Sequence, residues 1–107
     1  MGLIAIGAYR VHDGHEDLFL EALRQDIVTM RDEGLISDWP AMILKAGTDV
    51  FLQVVEWADD DAPGRSSDNE RVMAVWTRKR THSDYLSLSE VPGADRLFPS
   101  FEEIPVR

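Results

Sequence analysis

From Leu3 to Val11 the chain is apolar at both alternate sets of positions: Leu3, Ala5, Gly7, Tyr9 and Val11 on one side, and Ile4, Ile6 and Ala8 on the other, before Arg10. Side chains alternate along an extended chain, so this pattern predicts a strand buried on two faces rather than one facing water. Residues 50–57 repeat it, with Val50, Leu52 and Val54 on one side and Phe51, Val55 and Trp57 on the other, the latter interrupted by Gln53. A chain with two such strands must find cover for both faces of its sheet.

The remaining segments supply cover for one. Asp13-Gly14 breaks the first strand, and Asp13 with Glu16 three residues later reads as a capping box. His15 to Glu33 carries Leu18, Phe19, Ala22, Leu23, Ile27 and Met30 at helical spacing, and Gly34 sits where helices commonly end. Trp39 to Ala46 reads as a second strand, joined to Val50–Trp57 through Gly47-Thr48-Asp49 as an antiparallel hairpin. Asp59 to Ser67 is expected to be a polar turn around Pro63-Gly64. A second helix is expected from Ser67 or Asp68 to Arg80, with Glu70 in a capping interaction and Val72, Met73, Val75 and Trp76 on its apolar side. Between Thr81 and Pro99 only a short helical turn or extended piece near Tyr85 to Leu88 is legible, with a turn at Pro92-Gly93. Phe101 to Val106 is the last candidate strand, placed at an edge by Pro105.

The order strand, helix, strand, strand, helix, strand is that of the ferredoxin-like βαββαβ arrangement. The expectation is one α+β domain over residues 1–107, with a four-stranded antiparallel sheet and two helices on one face. The chain has nothing left to cover the second face, so a second copy packed sheet against sheet is expected, two-fold dimers being the commonest homo-oligomers.

Composition removes several classes of function. The 107 residues include no cysteine, which excludes disulfides and thiolate chemistry. A formal net charge of −9 argues against nucleic acid as a partner. Arg78-Lys79-Arg80 reads as a solvated helix end, where cations complement exposed carbonyls. No run approaches the roughly 20 apolar residues of a membrane span, and residues 1–11 read as a strand rather than a leader, so a cytoplasmic location is expected. Asp59-Asp60-Asp61 beside Pro63-Gly64 reads as a solvated turn. His12, Asp13, His15 and Glu16, with His82 elsewhere, match no metal spacing, and two of them already have a capping role. No metal and no cofactor are expected. Serine-nucleophile and phosphate-loop signatures are absent as well.

Tyr9-Arg10-Val11, Gly14, Glu16 and Phe19, then Gly34-Leu35, Val55-Glu56-Trp57, Val75-Trp76 and Phe98-Pro99-Ser100-Phe101-Glu102 follow one another in an order that resembles the antibiotic biosynthesis monooxygenase-like family. The resemblance spans nearly the whole chain and rests on scattered apolar and turn positions. It implies a dimeric α+β barrel with a pocket between sheet and helices, and either cofactor-independent oxygenation of aromatic substrates (quinol- or anthrone-like) or oxidative haem breakdown. Haem-degrading members use an asparagine on the first strand with a histidine and a tryptophan on the second helix. Here Trp76 matches the tryptophan, the first strand has no asparagine, and His82 lies beyond the expected helix end. These departures count against haem breakdown. Pro63-Gly64 also interrupts a region that is often helical in that family.

Tyr9, Phe51, Trp57, Trp76 and Tyr85 are the aromatics with enough surface either to line a pocket for a flat ligand or to anchor the core and a dimer interface. On the pocket reading, Trp76, His82 and Tyr85 are the candidate catalytic residues, and Tyr9, Phe51, Trp57 and Arg10 the substrate-binding ones. His82, Tyr85 and Arg10 supply the acid–base or orienting groups. The alternative is a non-catalytic ligand-binding or protein-interaction domain on the same scaffold.

Overall fold

The computed structural model describes residues 2–107; Met1, part of the segment read above, lies outside them. The elements in order are β1 (Leu3–Val11), α1 (Glu16–Asp32), β2 (Met42–Ala46), β3 (Val50–Trp57), α2 (Ala62–Ser67), α3 (Glu70–Thr81), β4 (Ser83–Leu86) and β5 (Glu102–Ile104), with a 3₁₀ turn at Leu88–Glu90. The fold is α+β, and its sheet has five strands in the order β4-β1-β3-β2-β5, every neighbour antiparallel.

The expected four-stranded sheet is therefore corrected. The strand beside β1 is Ser83–Leu86, registered through Tyr9 opposite Tyr85, in a stretch whose conformation the sequence left open. The expected strand at 101–106 is reduced to Glu102–Ile104, on the far edge beside β2. Ser-Asp-Tyr-Leu has no strand pattern of its own; the free backbone groups of β1 make it a strand.

Three local expectations also shift. His15, not Asp13, is the N-cap of α1, and no side chain caps that end. The chain turns instead at Gly14, whose φ of 77° favours glycine. The polar turn at 59–67 contains the helix α2, because proline in a first helical turn loses no hydrogen bond. Asn69 rather than Ser67 or Asp68 starts α3, its side chain accepting from the Val72 N–H at 3.1 Å.

Helices α1 and α3 cover the face carrying Tyr9, Val11, Phe51 and Val55, and Phe19, Leu23, Ile27 and Val72 fill the layer between. The opposite face is not left wholly to a partner. After β4 the chain runs back beneath the sheet, and Val91 and Phe101 pack on Ala8, Ala46, Val50 and Leu52. Half of that face is closed by this chain, contrary to the expectation that nothing was left to do it. The other half stays open: Ile4 and Ile6 are 46% and 47% exposed. The same end of β1 lacks a neighbour on one side, since β4 pairs with β1 only over residues 8–11.

Candidate functional site

Helices α1 and α3 each carry one charged residue on their buried stripe. Asp26 lies among Leu23, Ile27 and Met30 on α1, and Lys79 follows Val72, Val75 and Trp76 on α3. Both are almost fully enclosed. They meet over the sheet, where the Lys79 ammonium donates to Asp26 Oδ2 at 2.8 Å, to the Tyr9 hydroxyl at 2.9 Å and to Gln53 Oε1 at 3.3 Å. Tyr9 donates to Gln53 Oε1 at 2.9 Å, and Gln53 Nε2 donates to Asp26 Oδ2 at 2.8 Å. The second oxygen of Asp26 accepts from the Trp76 indole at 2.8 Å. Among the described residues no buried side-chain polar atom lacks a partner. Gly7, opposite Gln53 in the sheet, leaves room for the phenol, since a Cβ there would lie 3.0 Å from the Tyr9 oxygen.

This cluster corrects the reading of Arg78-Lys79-Arg80 as a solvated helix end. Arg78 and Arg80 are exposed, and Lys79 between them turns inward. The signal was present in the sequence, because Lys79 stands seven residues after Val72 and three after Trp76, on the apolar stripe. Asp26 stands likewise three residues after Leu23, and Gln53 interrupts an otherwise apolar face.

Above the cluster a cavity of about 190 Å³ opens between α3 and the unpaired edge of β1. Trp57, Trp76, Tyr85 and Met30 wall it; Tyr9, Gln53, Asp26 and Lys79 form its floor; and Ile6 stands at its lip. The Tyr9 and Tyr85 rings are 5.5 Å apart and tilted, a favourable aromatic arrangement. Tyr9, Trp57, Trp76 and Tyr85 are thus brought together, and the other three candidates are not. Phe51 is fully buried against Phe19. Arg10 points to the opposite face, 3.8 Å from Asp49. His82 caps the end of α3, its Nδ1 3.0 Å from His15 Nδ1. His12, His15 and His82 share that corner of the fold, yet no group of three ligands able to hold a metal occurs among the described residues.

Burial works against the Lys79 charge, but Tyr9 and Asp26 outweigh it and hold the ammonium pKa above the usual lysine value. Burial pushes the Tyr9 phenol up, opposed by Lys79. At neutral pH the floor therefore holds an ammonium on Lys79 and a neutral phenol on Tyr9. Both raised values make the folded state bind protons more tightly than the unfolded chain. Their contribution is complete below about pH 10 and is lost as pH rises through the folded pKa values. The only other tyrosine and lysine are Tyr85 and Lys45, so few groups compete in that range. The melting temperature should fall steadily above about pH 10, and a flat profile to pH 11 would contradict the assignment.

No family model, no curated protein and no solved structure matches the chain. No helix among the described residues is long and apolar enough to cross a membrane.

Proposed function

We propose that the aromatic-walled cavity binds a small, flat, largely apolar molecule and orients its one polar group against Tyr9 and its partners. The observation that carries this reading is the coincidence of three indole and phenol walls with a buried polar cluster at their foot. Ligand sites are typically apolar clefts with a few convergent polar groups. A volume of about 190 Å³ suits one or two rings, so a larger polycycle would extend past Ile6 through the open mouth.

The reaction that belongs to this reading is cofactor-independent monooxygenation of a quinol- or anthrone-like substrate, in line with the resemblance to the antibiotic biosynthesis monooxygenase-like family. The substrate's own carbanion reduces dioxygen, a ring methylene becomes a carbonyl, and the second oxygen leaves as water. The ferredoxin-like arrangement is supported by the order β4-β1-β3-β2, with β5 as an added edge strand. A homodimer through the sheet face is supported by exposed Ile4 and Ile6. A cytoplasmic setting accords with the cysteine-free composition.

One observation favours the second reading, binding without turnover. The three N–H groups of Lys79 are all engaged, so it is held as a structural cation rather than poised to transfer a proton. Oxygen uptake with anthrone, alongside quenching of indole fluorescence by the same compound, separates the two. Uptake with quenching supports the oxygenase, and quenching without uptake supports the binding domain. Absence of both, with no shift in melting temperature, rejects the cavity as a ligand site.

A further inference from the structure

We propose that in the homodimer Leu97 and Phe98 of one copy cover Ile4 and Ile6 of the other, so that each copy completes the lip of its partner's cavity. The inference rests on the dimer reading and adds which residues meet.

Leu97 and Phe98 are 89% and 85% exposed, more than any other large apolar residues described. They belong to the segment that lies beneath the sheet, held there by Val91 and Phe101. Ile4 and Ile6 stand on that same face, and Ile6 also lines the cavity. A projection and an open patch on one face of one chain are what a two-fold interface uses. If residue 98 meets residue 6, the symmetry makes residue 6 meet residue 98, and both projections are buried at once. The helix face offers no comparable match, being closed by α1 and α3. Two copies of net charge −9 repel at long range, so added salt should tighten the pair.

The absence of cysteine makes the test direct. Ile6→Cys and Phe98→Cys chains, differently tagged and co-expressed, are oxidised, and the mixed covalent product is scored. Both positions are exposed enough for the substitutions to leave the fold intact. Val28→Cys, on the exposed side of α1, replaces Ile6→Cys in the control. Sedimentation of the unmodified chain near twice 12.1 kDa, with the mixed product as the main species and none in the control, is the expected result. A dimer by sedimentation without the mixed product overturns the inference and leaves the dimer standing. Equal cross-linking in the control overturns it as collisional. A monomer at micromolar concentration overturns both.

Discussion

Replacing Lys79 by methionine is expected to destabilise the fold by about 3–5 kcal/mol, because it strands the Asp26 carboxylate in the protein interior. Methionine fills much of the lysine volume, so the loss measures the charge and its hydrogen bonds more than a cavity. Tyr9 and Gln53 would each keep one partner in the other, and Trp76 would keep Asp26. Urea unfolding at neutral pH gives the value. The double variant Asp26→Leu/Lys79→Met should be more stable than Lys79→Met alone, since it removes the unpaired charge as well. It should not reach the original stability, because the Trp76 indole and the Gln53 amide then lose their acceptor. A loss below about 1 kcal/mol for Lys79→Met would mean that water replaces the ammonium, and that the floor of the cavity is wetter than its geometry implies.

The parts of the fold that were legible in the sequence are those set by local periodicity. α1 and β3 are long enough to show which residues face inward, and β3 has the bounds expected of it. What escaped was decided by partners far along the chain. Ser83–Leu86 is a strand only because β1 offers it an edge, and 87–101 covers half a sheet face through two residues, Val91 and Phe101, set in a segment with no helical or strand periodicity. The site divides in the same way. Four of the aromatics expected near a pocket do surround one, while Phe51, on the same strand as Trp57, is buried against Phe19 in the core. The Asp26–Lys79 pair is hidden if charge alone is read and emerges only from position. Lys79 stands between two arginines at a helix end and shares their charge, but its place on the apolar stripe points inward. His82 and Arg10 have chemistry that suits a pocket, but the topology sends one to a helix terminus and the other to the opposite face of the sheet.

Phe51 and Ile6 separate folding from association, since they sit on opposite faces of the sheet. Phe51 is fully buried among Phe19 and its neighbours, so Phe51→Ala is expected to destabilise the chain by about 3–5 kcal/mol through lost transfer energy and the remaining void. Phe51→Asp adds an unpaired buried charge, and the chain should then fail to fold at all. Ile6 is 47% exposed, and Ile6→Asp in the isolated chain should change stability by no more than about 0.5–1 kcal/mol. The same substitution sets a carboxylate against Leu97 and Phe98 at both symmetry-related contacts and should shift the sedimentation profile from dimer to monomer. Measured together, the two variants test the assignment of faces itself. If Ile6→Asp unfolded the chain while leaving no folded monomer, the open half of the sheet would be part of one obligate core shared between copies. If it changed neither stability nor mass, the exposed isoleucines would have no partner in solution and the cavity lip would belong to a single chain.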